Sequence, residues 1–256
     1  MKGTGETREM KKTIIVMPVA NEEATMADVL DRILSFQWEN LSVYPVLDAY
    51  SKDRTWEIVG AYEERGDGKV KRIFHERSTG MVSCYLYGFR RALEDGAERI
   101  IEMDGGGSHQ PEDLPLFIEK LDAGYECVWG SRFMPGGAAE NDPLRRRLLS
   151  LGGTVLSNLT LGTRLRDMTS GFEAFQRHVL ERMNLDAFLS GGHMYQTEMK
   201  FYCRNYRYAE VPIRYIAGNS ALKFKSVTEA LRILFMLKKN EPKVMRSGGK
   251  GKAFEV

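Results

Sequence analysis

A carboxylate that enters a glycine-rich turn directly after a mostly apolar run points most clearly to chemistry in this chain. Asp104 follows the run Ile100–Met103, and glycines and then Pro111 come after it. An aspartate in this position can bind a divalent cation that holds a diphosphate. Such sites usually supply two acidic ligands spaced Asp-x-Asp, and the second position here is Gly106. The sequence predicts Asp104 as a ligand for Mg²⁺ or Mn²⁺ and leaves the second carboxylate unaccounted for.

A second group of residues has the chemistry of a phosphate site. Arg132 follows a short apolar run, and Arg146 and Ser150 are four residues apart in a pattern that predicts a helix. Residues at this spacing share one face of a helix, so two guanidinium groups and a hydroxyl can converge on one phosphate. The alternative is that Arg145, Arg146 and Arg147 only form a solvated basic face of that helix.

Two further turns have side chains suited to a nucleotide. Pro18, Asn21 and Glu22 lie at the end of the first apolar run, and Asp48 ends the second. Asp48 can accept a hydrogen bond from a base N–H, whereas the simpler interpretation of the same residues is an Asx turn. The turn after Pro18 is equally explained as a strand-to-helix junction whose first helical turn has favourable acidic charge.

The elements that must position these residues alternate between short apolar runs and longer amphipathic ones. This alternation predicts an α/β fold, with a mostly parallel sheet and helices on both faces. Ligands of such sheets bind at the carboxyl ends of the strands, so the candidate residues are expected to converge on one crevice. After Pro143, two helical patterns and an extended segment at Tyr208–Tyr215 are expected to cover it. The predicted strands are Thr13–Val19, Val43–Leu47, Val70–Phe74, Arg99–Met103 and Cys127–Gly130.

The composition is that of one ordinary globular domain. The chain has 256 residues, 43% of them hydrophobic, which is enough for one large core. Its 37 basic and 35 acidic residues give a net charge of +2, so nucleic acid is not an expected partner. Cys84, Cys127 and Cys203 lack metal or redox spacing and fit a reducing compartment. No signal peptide or membrane-spanning run is recognisable, which predicts a cytoplasmic protein.

The C-terminal part has an amphipathic pattern over residues 226–239, which includes Glu229 and Arg232 and is followed by further basic residues. Such a helix can lie in a membrane interface with its basic residues towards anionic lipids. A core helix followed by a basic tail explains the same pattern. The predicted organisation is a flexible N-terminus over 1–11, the α/β domain over 12–225, the amphipathic helix over 226–239 and a flexible basic tail over 240–256.

Taken in order, these segments resemble the family 2 inverting glycosyltransferases of the GT-A fold. Within that family, the arginine-containing segments look like the polyprenyl-phosphate branch, which includes the dolichol-phosphate mannosyltransferases. The resemblance extends from about Lys12 to Lys239. The segments similar to the nucleotide crevice of the family are Pro18–Glu23, Asp48–Thr55 and Met103–Glu112, and those similar to the lipid-phosphate branch are Gly130–Phe133, Pro143–Ser150 and Asp167–Phe172.

The resemblance implies transfer of a hexose, mannose first, from a nucleotide-sugar to a polyprenyl or dolichyl phosphate with inversion. It favours GDP-mannose as donor, Mg²⁺ or Mn²⁺ as cofactor, and a cytoplasmic protein associated peripherally with the membrane surface. The roles that it implies are catalytic for Asp104, Arg132 and Lys223; nucleotide-sugar binding for Pro18, Asn21, Glu22, Asp48, Asp104 and Glu198; acceptor-phosphate binding for Arg132, Arg146 and Ser150; and metal binding for Asp104.

Departures from the family pattern fall in the same crevice. Gly106 replaces the second metal carboxylate, Ala49 and Tyr50 change the base turn, and Ala20 lies where an aromatic residue is common. One explanation is an active transferase that uses Asp104 alone, since Mg²⁺ accepts one or two protein carboxylates when phosphates and water supply the rest. The other is a non-catalytic relative that binds a nucleotide, a lipid phosphate or a protein partner. A nucleotidyltransferase is disfavoured, because no glycine-rich phosphate loop with an activating basic residue follows the first strand.

Overall fold

The computed structural model describes residues 11–218 and 224–239, and its strands and helices alternate as predicted from Thr13 to Ser131. The strands are β1 (Thr13–Val19), β2 (Leu41–Asp48), β3 (Ile73–His75), β4 (Arg99–Glu102), β5 (Cys127–Ser131), β6 (Ala138–Glu140), β7 (Glu173–Gln176), β8 (Tyr208–Pro212) and β9 (Arg214–Ile216). The helices are α1 (Met26–Leu34), α2 (Thr55–Glu63), α3 (Met81–Glu94), α4 (Leu114–Asp122), α5 (Leu144–Leu161), α6 (Arg177–Glu181), α7 (Tyr195–Tyr202) and α8 (Phe224–Lys239).

One large sheet has the strand order β3-β2-β1-β4-β7-β5-β8, and β6 pairs with β9 in a small second sheet. The pairs β1–β2, β1–β4, β2–β3 and β5–β8 are parallel, whereas β7 runs antiparallel between β4 and β5. The prediction of an α/β fold with a mostly parallel sheet is therefore confirmed. The sequence patterns missed β7, which begins with the charged residue Glu173.

Side chains alternate between the two faces of β1, and each face has its own hydrophobic core. Ile14 and Val16 pack with residues of α3, α6, α7 and α8. Ile15 and Met17 pack with residues of α1, α2 and α4. Successive strand residues point to opposite sides of a sheet, so the continuous apolar run of β1 requires helices on both faces. That prediction is also confirmed.

The carboxyl ends of β1, β2 and β4 lie at the same edge of the sheet because these strands are parallel. Of the predicted extended segment Tyr208–Tyr215, Tyr208–Pro212 is β8 of the large sheet, and β9, which follows it, covers that edge. Tyr215 of β9 forms a β-bridge with His109, and the Ile216 N–H donates to the Ser108 carbonyl oxygen at 2.9 Å. The residues after β4 are thereby joined to the second half of the chain.

The helix predicted over 226–239 is α8, which begins two residues earlier, at Phe224. Ile233, Leu234 and Leu237 are buried in the core, which favours the core-helix interpretation for this face. On the other side, Leu231 and Phe235 are 51% and 66% exposed. Among the described residues, no helix combines the length and the apolar character needed to cross a bilayer. The predicted flexible segments lie outside the described residues, except for Lys11.

A buried group of charged and polar side chains crosses the sheet next to Asp104. Glu102 of β4 and Glu173 of β7 face each other across the two strands, and both are fully buried. Lys200 donates to Glu173 at 2.6 Å, and the Tyr195 hydroxyl donates to Glu102 at 3.2 Å. Burial raises the pKa of both carboxyl groups, and repulsion from Glu173 adds to the rise at Glu102. The pair therefore retains a proton at a pH where an exposed glutamate is ionised.

Replacing Glu102 by glutamine is expected to stabilise the protein at about pH 8 by about 1–3 kcal/mol, since buried charges often cost more than they contribute. The folded wild type holds a proton that the unfolded chain releases near pH 4.5, so its stability falls as the pH rises through the raised pKa. Glutamine does not titrate and can donate to Glu173. Urea unfolding in chelator should give a difference between E102Q and wild type that widens with pH. E119Q, at a side chain that is 66% exposed, is the control. Equal pH slopes for E102Q and wild type would contradict the prediction.

Candidate active site

Hydrogen bonds between side chains and backbone join the turn after β1 to the turn after β2. Asn21 Oδ1 accepts from the Lys52 N–H at 2.9 Å, and the Asn21 N–H donates to Ser51 Oγ at 3.0 Å. The Glu22 N–H donates to Thr55 Oγ1 at 2.8 Å. Asn21 has a positive φ of 57°, a conformation that asparagine adopts more readily than most residues. These bonds explain the residue types of both turns and hold the two strand ends together.

Tyr85 and His109 position Asp104, which lies just beyond the end of β4. The Tyr85 hydroxyl donates to Asp104 Oδ1 at 2.8 Å. The Asp104 N–H donates to His109 Nδ1 at 3.0 Å, and His109 Nε2 lies 3.7 Å from Asp104 Oδ2. Burial lowers the pKa of His109, so its ring is neutral at neutral pH and, because Nδ1 accepts, the proton is on Nε2. His109 therefore supports the turn that presents Asp104.

Arg132 lies directly after β5 and forms a buried ion pair with Asp167. Its Nε and Nη2 donate to the two carboxylate oxygens at 2.8 and 2.9 Å, and Nη2 also donates to Thr169 Oγ1 at 2.6 Å. The Arg132 backbone N–H donates to the same carboxylate at 3.1 Å. Burial opposes both charges, but the pairing prevails: it raises the pKa of Arg132 and lowers that of Asp167. A bidentate pair of this kind fixes the guanidinium at the strand end.

Arg146 lies in the first turn of α5, and Tyr215 holds its guanidinium group near that of Arg132. Its Nη2 donates to the Tyr215 hydroxyl at 3.1 Å, and its Nη1 donates to the Gly218 carbonyl oxygen at 3.3 Å. The Cζ atoms of Arg132 and Arg146 lie 5.3 and 5.9 Å from the centre of the Tyr215 ring. Asp142 Oδ1 lies 3.5 Å from Arg146 Nε. The aromatic ring attracts both cations, so the two guanidinium groups converge without direct contact.

A cavity of about 670 Å³ joins the carboxylates to the arginines. This volume is in the range of small-molecule binding sites, roughly 300–1,000 Å³. The lining contains carboxylates near the strand ends and guanidinium groups from the second half of the chain. It therefore suits both positively and negatively charged ligands. The predicted site residues that line it are Pro18, Glu22, Asp48, Asp104, Arg132, Arg146 and Ser150.

Asp48 combines the two interpretations of its turn. Its Oδ1 accepts the Tyr50 N–H at 2.9 Å, which is the Asx turn that the sequence allowed. It also lines the cavity, so its proposed contact with a base stays a prediction. Asn21 does not line the cavity, and its side chain joins the two turns instead.

The expectation for Glu198 is corrected by its surroundings. Glu198 is fully buried, and its carboxylate accepts from the backbone N–H groups of Leu189 and Ser190 at 2.7 and 2.9 Å. The Tyr202 hydroxyl donates to it at 2.5 Å. Because these bonds use both oxygens, the carboxylate holds the loop before α7 rather than a sugar. Lys223 lies outside the described residues, so its role stays a prediction.

Sequence reasoning did not assign roles to Tyr85, Asp167 or Tyr215. Tyr85 lies in α3, where the helical pattern indicates core packing only. Asp167 lies in one of the segments that resemble the lipid-phosphate branch, and a charge in that otherwise neutral stretch was the available signal. Tyr215 lies in the extended segment, where the sequence has no signal for its contact with the arginines.

Comparison with known proteins identifies the family. Residues 14–183, more than half of the chain, match the family model described as glycosyl transferase family 2. The chain belongs to glycosyl transferase family 2. This family 2 glycosyltransferase is 30% identical over 239 residues to polyprenol monophosphomannose synthase of Mycolicibacterium smegmatis, covering 90% of this chain and 89% of that protein. It is 33% identical over 227 residues to undecaprenyl-phosphate mannosyltransferase of Micrococcus luteus, covering 86% and 91%.

A solved structure of the same fold contains a metal and a nucleotide. Glucosyl-3-phosphoglycerate synthase from Mycobacterium tuberculosis, in complex with Mn²⁺, UDP and phosphoglyceric acid, matches with a TM-score of 0.65 and 15% identity, over 93% of this chain and 81% of that chain. The likeness establishes the GT-A fold of this glycosyltransferase, and Mn²⁺ and UDP are bound in that solved structure. Among the described residues, no group of three or more His, Cys, Asp or Glu side chains is arranged to hold an ion. A cation in this cavity would therefore need diphosphate or water oxygens as well.

Proposed function

We propose that this glycosyltransferase moves mannose from GDP-mannose to a polyprenyl or dolichyl phosphate, with inversion at C1 of the sugar. The observation that supports this most directly is the shared cavity. Asp104, from a segment similar to the nucleotide crevice of the family, lines the same cavity as Arg132 and Arg146, from segments similar to the lipid-phosphate branch. The names of the two relatives agree with the sugar and with the class of acceptor. The choice of GDP as the nucleotide rests on the resemblance of the sequence motifs.

The acceptor phosphate is the nucleophile in this proposal. A phosphate monoester has a second pKa of about 6, so it is largely ionised at neutral pH and needs no protein base. Its oxygen forms a bond to C1 from the face opposite the diphosphate. The bond from C1 to the diphosphate oxygen breaks, and that oxygen leaves with the electron pair. Arg132 and Arg146 bind and orient the attacking phosphate. Ser150, on the same face of α5 as Arg146, also lines the cavity.

Charge on the departing diphosphate must be compensated on the donor side. A divalent cation, when bound, supplies this compensation. Asp104 is suited to hold it, because Tyr85 fixes one carboxylate oxygen and the turn presents the group to the cavity. Lys223, outside the described residues, is proposed to approach the same diphosphate.

An apolar surface of α5 beside the cavity suits an acceptor that is anchored in a membrane. Leu148 and Leu149 line the cavity and are 58% and 42% exposed, and Leu159 further along the helix is 78% exposed. Arg145 and Arg147 are exposed on the same helix, and basic residues near a lipid surface attract anionic headgroups. We therefore include in the proposal that the protein associates peripherally with the cytoplasmic face of a membrane through α5.

Replacing Leu159 by glutamate is expected to weaken binding to anionic vesicles about tenfold, because burying a leucine contributes roughly 1.5–3 kcal/mol. Flotation with phosphatidylglycerol and phosphatidylcholine vesicles measures the bound fraction. F74E changes an exposed apolar residue outside α5 and should bind like wild type. Equal flotation of L159E and wild type would exclude this helix as the lipid contact.

Transfer of radiolabelled sugar to a polyprenyl phosphate in detergent tests the activity itself. GDP-mannose, UDP-glucose and UDP-N-acetylglucosamine are compared as donors, with Mg²⁺, Mn²⁺ or chelator. A labelled lipid from GDP-mannose supports the proposal, and a product from another donor alone would correct the sugar and the base. No product from any donor, alongside a working control enzyme, would indicate the non-catalytic alternative.

Two neighbouring arginines separate a phosphate site from a merely basic helix face. Arg146 contacts Tyr215 and lines the cavity, whereas Arg147 is exposed to solvent. R146A is expected to raise KM for the lipid phosphate by about tenfold or more, because a charge-assisted hydrogen bond contributes roughly 1.5–3 kcal/mol. R147A should leave KM nearly unchanged in detergent. Equal effects of the two substitutions would favour the solvated basic face.

A further inference from the structure

The carboxylate of Glu22 occupies the space above Gly106. A Cβ atom at residue 106 would lie 3.0 Å from Glu22 Oε1 and 3.1 Å from Oε2, closer than side chains normally approach. Any side chain at residue 106 would therefore meet the Glu22 carboxylate. The sequence thus has no carboxylate at residue 106, but the carboxylate of Glu22, from another turn, occupies the adjacent space.

The main chain of Glu22 is fixed, whereas its carboxylate has few protein contacts. The Glu22 N–H donates to Thr55 Oγ1 at 2.8 Å, and its carbonyl oxygen accepts from the Met26 N–H at 2.9 Å at the start of α1. The side chain accepts one long hydrogen bond, 3.3 Å, from Thr25 Oγ1. Both Glu22 and Asp104 line the cavity. The turn therefore presents a carboxylate to the cavity from an immobilised backbone.

The donor set fits a hard divalent cation. Mg²⁺ and Mn²⁺ prefer oxygen ligands, and Mg²⁺ is usually held by one or two protein carboxylates together with phosphate and water oxygens. Two carboxylates from different turns, without a third acidic or histidine ligand in the described part of the chain, match that requirement. Hydrogen bonds between the turns after β1 and β2 keep Glu22 in place.

We propose that Glu22 supplies the second carboxylate of the metal site, so that Asp104 and Glu22 together hold one Mg²⁺ or Mn²⁺ beside the diphosphate. The second carboxylate comes from a different turn, and Gly106 leaves room for it without a shift of the Glu22 side chain. This inference rests on the proposed nucleotide-sugar site, but metal binding can be measured without any transfer.

Electron paramagnetic resonance of free Mn²⁺ tests the proposal on the full chain, with GDP or UDP present. E22Q is expected to raise the Mn²⁺ dissociation constant about tenfold or more, the effect of losing one charged ligand. E57Q removes an equal charge from the exposed first turn of α2 and should bind Mn²⁺ like wild type. If E22Q binds Mn²⁺ like wild type, or if the wild type binds none with either nucleotide, the proposal is overturned.

A double variant that moves the carboxylate from residue 22 to residue 106 separates the loss of a metal ligand from an indirect effect of the substitution on folding. G106D adds an aspartate whose Cβ atom would press against the Glu22 carboxylate, and E22A removes that contact. The double variant E22A/G106D is expected to recover Mn²⁺ binding to within about threefold of wild type, because a carboxylate again occupies the same space. E22A alone should stay weak. No recovery in a double variant with wild-type circular dichroism would mean that Glu22 is not a metal ligand. Mn²⁺ binding without sugar transfer would instead contradict only the proposed function.

Discussion

Replacing Asp104 by asparagine is expected to lower kcat/KM for sugar transfer by about three orders of magnitude, with the fold unchanged. Asparagine keeps an oxygen that can accept the Tyr85 hydroxyl, but it lacks the negative charge that a divalent cation needs. Stabilisation of the departing diphosphate by a metal is worth several kcal/mol, and each 1.4 kcal/mol or so is a factor of ten in rate. Initial rates of lipid labelling at saturating Mg²⁺ measure the loss.

Two companion variants make the Asp104 result specific. Asp28→Asn removes a charge from a side chain that is 70% exposed on α1 and should leave the rate unchanged. Tyr85→Phe keeps the aromatic core but removes the hydrogen bond to Asp104, and should lose about tenfold or more, as loss of a supporting contact to a metal ligand usually does. Retention of more than a tenth of the activity by D104N would mean that other cations stabilise the diphosphate.

The parallel strands β1, β2 and β5 were predictable because each is a short, mostly apolar and buried run. β1 has the predicted bounds Thr13–Val19, and the other predicted strands differ from the structure by a few residues at their ends. β7 was not predictable from its own residues, because Glu-Ala-Phe-Gln is not an apolar run. Its buried Glu173 is compensated by Lys200 from a later helix. Compensation between distant elements leaves no local pattern.

Convergence of the strand-end residues on one cavity followed from the parallel topology, but their side-chain partners did not. Tyr85 reaches Asp104 from a helix whose pattern indicates only core packing. Tyr215 reaches the arginines through a short strand pair whose register is set by distant residues. The family resemblance assigned Glu198 to the sugar, but an acidic residue in a first helical turn has the same local sequence whether it binds a ligand or holds a loop.

Replacing Asp167 by asparagine is expected to lower the free energy of unfolding by about 3–5 kcal/mol, because Arg132 remains as a buried cation without its counter-charge. Burial favours the neutral acid, but Arg132 overrides it and holds the pKa of Asp167 below its ordinary value of 3.8. The extra stability of the wild type over D167N is therefore present at pH values above that ordinary pKa and is lost as the pH falls through the lowered pKa. Urea unfolding at neutral and acidic pH measures both effects.

The control for this stability change is Asp186→Asn. Asp186 also pairs with an arginine, Arg90, but its side chain is 85% exposed, so its loss should change stability by less than about 1 kcal/mol. A D167N protein as stable as wild type at neutral pH would mean that Arg132 finds another partner after the substitution.

The double variant Arg132→Met/Asp167→Leu separates the structural role of this pair from its role in binding phosphate. Replacing both members of a buried ion pair by apolar residues of similar size is often neutral or stabilising, so most of the stability lost in D167N should return. Transfer should stay low, because Arg146 alone then faces the acceptor phosphate. Unfolding curves and KM for the lipid phosphate, measured on one preparation, distinguish the outcomes. A stable double variant with wild-type KM would mean that Arg132 only holds the fold and that the phosphate binds elsewhere in the cavity.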